Sequence, residues 1–106
     1  MLNKSELTSL HKLVKRQDPR LPVVFSALSD GTRCKIFRMV LKRKQQDLSV
    51  SDFSKTLKIT PSAASQHLKI LELTGLIVKS RIGNRSSIKP NLKDPLVKAL
   101  KKSIIK

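Results

Sequence analysis

Aromatic side chains are almost missing from this chain of 106 residues, which has three Phe, no Trp and no Tyr. All three Phe sit in apolar patterns, so there is no platform on which unpaired bases would stack, and a single-strand nucleic-acid binder is disfavoured. Cysteine is as scarce. A single thiol, Cys34, excludes an internal disulfide and reads as a small, partly buried hydrophobe. No apolar run approaches the roughly 18 residues needed to cross a bilayer. Met1-Leu2-Asn3-Lys4 passes straight into a polar helical pattern without a secretory leader. A cytoplasmic location and no membrane partner are expected. Catalytic sets are lacking too: no Ser/His/Asp or Cys/His arrangement, paired carboxylates, phosphate loop or metal cluster appears. The expectation is therefore no enzyme, no cofactor and no metal.

Negative charge is the remaining shortage. Seven Asp and Glu stand against 23 Lys and Arg, a formal charge of +16. A field of that size attracts polyanions, nucleic acid first. The basic residues are spread along the whole chain, with no repeat and no low-complexity tract, so residues 1–106 read as one small domain.

What is present is organised around Thr60 to Gly75. Thr60 can cap a helix, Pro61 suits its first position, and Gly75 can take a left-handed conformation at its end. Ala64, Leu68 and Leu71 form an apolar seam, with Ala63 and Ile70 beside it. The opposite stripe, Ser62, Ser65, Gln66 and Lys69, is short, polar and free of carboxylates, which suits a DNA major groove. The same stripe would also serve as an ordinary solvated face, and the neighbouring segments decide between the two.

Upstream, residues 4–16 read as a first helix with Leu7, Leu10, Leu13 and Val14 on one face. Pro19 and Pro22 break the chain, and residues 23–28 form a short helix that is apolar nearly all round. Asp30 caps a helix running to about Lys44, with Ile36, Phe37, Val40 and Leu41 buried. Ser49-Val50-Ser51-Asp52 has the form of a capping box and opens a short helix ending near Lys58. Together with the Thr60 helix it makes a helix-turn-helix over residues 49–74.

Downstream the period changes to two. Residues 77–82 and 86–88 read as strands joined by Gly83-Asn84, a two-residue hairpin turn of type II′. The ribbon carries Lys79, Arg81, Arg85 and Lys89 and no acid. Directly after a groove helix, such a basic ribbon is a wing; an edge hairpin guarded by cations is the alternative. Asp94 and Pro95 then start a last helix with Leu96, Val97, Leu100 and Ile104 on its apolar stripe, widened by Ile105. A core this small leaves the first and last helices little to cover, so a homodimer through Leu7, Leu10, Val14, Leu96, Leu100 and Ile104 is expected. The fold class is mainly α with a small β-hairpin: a winged helix-turn-helix. A dimerisation helix at 1–20, a helical core at 23–75, a wing at 76–90 and a second dimerisation helix at 91–106 make up the domain.

These residues resemble a known group. Phe25-Ser26-Ala27-Leu28-Ser29-Asp30-Gly31-Thr32-Arg33, Leu48-Ser49-Val50-Ser51-Asp52, Ser65 to Glu72 and Gly75-Leu76-Ile77 are similar to the ArsR-type winged-helix transcription regulators, over about residues 23–90. The resemblance implies a homodimeric operator-binding regulator, a repressor rather than an activator. It implies DNA-facing residues Ser62, Ala63, Ser65, Gln66, His67 and Lys69 in the groove helix, with Arg81, Asn84 and Arg85 in the wing beside Lys79. For His67, a phosphate or base contact and packing against the neighbouring helix both stand open.

The chain departs from the pattern where members hold metals. Ser49 and Ser51 occupy the positions of two cysteines, and hydroxyls are poor ligands for soft metals. The last helix offers only Asp94 as an acid and no His, and the lone Cys34 excludes a thiol-pair sensor. Gly31 stands where proline is common, and Lys58 where glycine is frequent. No residue marks an effector site. A non-specific architectural or ribosome-associated basic protein is the competing reading, because the charge would suit it equally.

Overall fold

The computed structural model describes residues 3–8, 19–42, 48–83 and 85–104, and of Ile82, Arg85 and Ile104 the backbone only. Residues 4–8 are helical, and the side chain of Asn3 accepts from the Glu6 N–H at 2.7 Å. The expected dimer residues Leu10 and Val14 lie outside the described residues, as do Asn84 and Ile105. Five longer helices and one hairpin follow: α1 (Leu21–Ser29), α2 (Gly31–Lys42), α3 (Val50–Leu57), α4 (Pro61–Leu73), β1 (Ile77–Ile82), β2 (Arg85–Pro90) and α5 (Pro95–Ile104). No described helix is long and apolar enough to cross a membrane.

Helix α1 corrects two expectations. It begins at Leu21, two residues before Val23, because Pro22 falls in the first turn, where a missing N–H removes no hydrogen bond. It is also no all-round core element. Val24 and Ala27 are buried, but Val23 and Phe25 are 54% and 58% exposed. Two of its six apolar residues therefore lie on the outside.

The other helices follow their local signals. Asp30 Oδ1 accepts from the Arg33 N–H at 2.9 Å and opens α2, which buries Ile36, Phe37, Val40 and Leu41. Its expected continuation to Lys44 runs into residues 43–47, outside the description. The capping box of α3 is complete: Ser49 N–H donates to Asp52 Oδ2 at 2.7 Å, and Asp52 N–H to Ser49 Oγ at 3.4 Å. Thr60 Oγ1 accepts from the Ala63 N–H at 3.0 Å, and Pro61 is the first residue of α4.

The end of α4 is a Schellman closure built on Gly75 at φ +81°. Gly75 N–H bonds the Glu72 carbonyl and Leu76 N–H the Leu71 carbonyl, both at 3.0 Å. Leu71 and Leu76 are both fully buried, so the closure is also an apolar contact within the core.

The chain then enters the ribbon in the register Ile77↔Pro90 to Ile82↔Arg85, which leaves a two-residue loop with Gly83 at φ +62°. A positive φ at the first loop position is what a primed hairpin turn needs. Leu48, just before α3, bridges Ile88 and adds a short third rung that no sequence signal announced.

The core gathers α1 to α4, the base of the ribbon and α5 around Phe37, Phe53, Ile36, Leu71 and Leu76. The stripe of α5 is partly spent on this core. Val97 is fully buried and Leu96 and Leu100 pack half-buried against it, while Leu7 in the first helical stretch is 54% exposed. Asp94 starts α5 by accepting from the Leu96 N–H at 3.0 Å, and its other oxygen meets Arg20 Nη1 at 2.7 Å. Asn91 bonds the Gly75 carbonyl through Nδ2 at 3.0 Å. The end of α4 and the starts of α5 and α1 are thus fastened together.

Candidate nucleic-acid interface

The orientation of α4 is set by the turn before it. Lys58 closes α3 at φ 56° and ψ 45°, the only described non-glycine residue with positive φ, and its N–H bonds the Ser54 carbonyl. Ser54 is buried and holds the turn twice: its Oγ donates to the Ile59 carbonyl at 2.6 Å, and its carbonyl accepts from the Ile59 N–H at 3.1 Å. The position where glycine is frequent thus adopts the glycine conformation with a lysine.

Held in this way, α4 buries Ala64, Leu68 and Leu71 and turns Ser62, Ser65, Gln66 and Lys69 to solvent. Ala63 is half-buried beside them. His67 is half-buried with Nδ1 shut off from solvent and without a hydrogen-bond partner among the described residues. Its imidazole faces the start of α2 closely enough to help hold the Asp30 carboxyl below its ordinary pKa, after the larger effect of the Arg33 backbone N–H.

The ribbon brings further cations to the same side. Residues paired across an antiparallel ladder share a face, and alternate residues along a strand do too. Ile77, Lys79 and Arg81 therefore lie on one face with Ser86, Ile88 and Pro90. At its base this face is buried through Ile77 and Ile88, and farther out it exposes Lys79 and Arg81. A cleft of about 240 Å³ between α4 and this face is lined by Val50, Ser65, Leu68, Lys69, Glu72, Ile77, Lys79 and Ile88. Ser65, Lys69 and Lys79, expected to face DNA from separate stretches of sequence, meet there. Arg81 extends the same face, Arg85 pairs with Ile82 at the end of the ribbon, and Asn84 is outside the description.

Glu72 is the residue that the sequence reading left out of this surface. It lies one turn after Lys69, so the carboxylate-free stripe ends in a carboxylate at the cleft. The helical spacing of Ser65, Lys69 and Glu72 would have shown it. The remaining described acids are Glu6 and the three aspartates at helix starts: Asp30, Asp52 and Asp94. Arg20 and the Leu96 N–H hold the Asp94 carboxyl below its ordinary pKa against the opposing effect of burial. Ser49 is engaged in the capping box. Among the described residues no three His, Cys, Asp or Glu side chains are grouped to hold a metal. Cys34 is half-buried.

With this geometry in hand, known proteins can be compared. The family model described as "Bacterial regulatory protein, arsR family" matches residues 30–79, from the cap of α2 through α3 and α4 into β1. Among solved structures, the chain is similar to reduced HlyU from Vibrio cholerae N16961, with 25% identity and a TM-score of 0.70 over 88% of this chain and 93% of that one. It is similar to the transcriptional regulator HlyU from Vibrio vulnificus CMCP6, with 26% identity and a TM-score of 0.68 over 88% and 92%. A homodimeric winged helix-turn-helix DNA-binding domain from Mycobacterium bovis shares the fold, with 21% identity and a TM-score of 0.67 over 98% and 86%. No curated protein matches the sequence.

Proposed function

From its place in the arsR family of bacterial regulatory proteins, we propose that this DNA-binding regulator is a sequence-specific, homodimeric, cytoplasmic repressor that acts by occupying an operator. Its family and its solved relatives are regulators of transcription, not enzymes. The observation that carries the finer reading is the exposed amide of Gln66 in the middle of α4, flanked by Ser62, Ser65 and Lys69. A glutamine amide can pair at once with the acceptor and donor edges of adenine, which no lysine can do.

Lys69, Lys79 and Arg81 supply the phosphate contacts that fix register without reading sequence. Dimerisation is supported by the homodimeric Mycobacterium bovis domain of the same fold and by the half-exposed apolar positions of the terminal helices. No soft-metal effector belongs to the proposal. Ser49 caps α3 and Asp94 is bound to Arg20, so neither position offers the ligand set of a metal sensor. The charge of +16 favours one other reading, a basic protein that coats duplexes without preference.

Salt titrations on a selected site and on its scrambled counterpart separate the two. Arg81→Ala should weaken both duplexes alike and lower the salt slope by about one unit. Gln66→Ala should cost about 1–3 kcal/mol on the selected site alone and leave the slope nearly unchanged. Equal loss on both duplexes after Gln66→Ala would remove the groove-reading role from α4. Titration at a duplex concentration well above Kd gives the number of chains per duplex, and one chain per site would refute the dimer.

A further inference from the structure

Helix α2 carries a second basic surface that the groove helix and wing do not use. Its sequence, Gly31 to Lys42, contains no carboxylate. Lys35, Arg38 and Lys42 recur at i, i+3 and i+7, which places them within about 60° of one another on a helix. All three are exposed, and no described carboxylate pairs with them. Arg33 is different: its guanidinium turns back to donate to the Ala27 carbonyl at 3.1 Å, so it serves the fold. The stripe has no such structural use. Arg38 and Lys42, one turn apart, repel each other, and no described side chain offsets that.

We infer that the Lys35–Arg38–Lys42 stripe binds the phosphates of duplex DNA flanking the operator, so that the contacted DNA extends past the site read by α4. The inference rests on the DNA-binding reading above. Three features of the structure carry it. The surface is cationic along its whole length, and a phosphate backbone is the complementary polyanion. The stripe runs for about 10 Å, enough to meet about three successive phosphates of one strand. Its helix also packs against both α4 and β2, so the stripe is held rigidly relative to the elements proposed to face DNA.

The test uses the full chain and two duplexes. One is a site of about 20 base pairs selected by the protein from a random pool, long enough for two half-sites one turn apart. The other is the same site with scrambled flanks on both sides. The variant is Lys35→Gln with Arg38→Gln and Lys42→Gln, all at exposed positions, checked for an unchanged thermal melt. For wild type, the long duplex should show a steeper salt slope than the short one. In the variant that excess should disappear. Three lost phosphates per chain, six for the proposed dimer, correspond to about 5.4 units of slope, or about 1,800-fold in affinity between 50 and 200 mM salt.

Affinity for the short duplex should stay within about twofold of wild type, which keeps the operator reading intact while the flank contact is lost. If the variant weakens both duplexes by the same factor, the stripe acts only through the general field and the inference fails. If it weakens neither, the surface serves another purpose and the inference also fails. A wild type that binds neither duplex above a scrambled control would refute the regulator reading itself, and the flank contact with it.

Discussion

Among the described residues, Lys58 is the one whose backbone conformation disagrees most with its side chain, and replacing it measures how the helix-turn-helix is set. At φ 56° and ψ 45° it closes α3 in the left-handed region, where a Cβ costs about 1–2 kcal/mol. Lys58→Gly removes that strain. Against the gain stands the greater freedom of glycine in the unfolded chain, about 0.4–1 kcal/mol. The cation at the C-terminal end of α3 is also lost, worth about 0.3–1 kcal/mol on an exposed helix end. The charge of +16 on the chain lowers this last contribution, because removing one cation relieves repulsion from the others.

Lys58→Ala separates the effects, since it keeps the strain and loses the same charge. Gly should therefore be more stable than Ala by about 0.5–1 kcal/mol, or about 2–8 °C in melting temperature for a domain of this size. The assay is a pair of thermal melts followed by circular dichroism at one protein concentration, because any dimer makes the midpoint concentration-dependent. Duplex affinity should match between the two variants, because the bonds of Ser54 to Ile59 hold the turn on both sides. Equal melting of Gly and Ala would show that the turn does not hold the left-handed residue, and the derived placement of α4 would fall with it.

Asp94→Asn keeps a cap for α5 and removes the ion pair, costing about 0.5–1 kcal/mol at neutral pH because the Arg20 side chain is 41% exposed. The Asp94 carboxyl is held below its ordinary pKa, so its stability is present above about pH 4 and drains away as pH falls through the folded value. The difference between wild type and variant should shrink over that acid range, and a constant difference down to pH 2 would deny the pair. Gly75→Ala places a Cβ 3.1 Å from Arg20 Nη1 at a residue with φ +81°, and should cost about 1–2 kcal/mol in chemical denaturation. Part of that cost should vanish in the Asp94→Asn background, where Arg20 has lost its ion pair with Asp94. Strict additivity would put the whole cost in the backbone.

The parts of this fold that the sequence announced are those settled within one turn of helix or ribbon. The Ser49–Asp52 box, the Thr60-Pro61 start, the Gly75 stop and the loop of two residues at 83–84 each join residues at most five positions apart. Their energetics are local, so spacing alone identifies them. The Arg20–Asp94 pair, the Asn91–Gly75 bond and the Leu48–Ile88 bridge join distant segments. No window of sequence contains both partners. Helix α1 misled for another reason. Val23, Val24 and Phe25 are equally apolar by composition, and only the packing of α1 against α2 selects Val24 for the core. Lys58 marks a third limit: the bonds between Ser54 and Ile59 impose the turn on a side chain that would not choose it. On α4, the exposed polar stripe was legible from helical spacing. Its meeting with Lys79 in one cleft was not, because it depends on the register of the ribbon.

Charge and reading divide the work of this surface in a way that bears on the dimer. Asp30, Asp52 and Asp94 sit at helix starts, where a carboxylate meets unpaired N–H groups and the positive end of the helix dipole. Negative charge that might have neutralised the exterior is thereby committed to the fold, and the lysines and arginines outside face solvent with little to offset them. Such a surface holds any duplex, because phosphate contacts carry no sequence information. Selectivity has to come from differences at base edges, where one well-paired amide contributes about 1–3 kcal/mol. In a monomer, Gln66 alone would favour its site by about 5–150-fold, too little against the roughly 10⁶ competing positions of even a small genome. A twofold arrangement presents the same amide at two half-sites and doubles the free-energy difference to about 2–6 kcal/mol, while Ser62 and Ser65 add their own contacts. Under the proposed operator-binding role, the strong field therefore makes dimerisation a condition of specificity, and a monomer on DNA would be the non-specific binder of the competing reading.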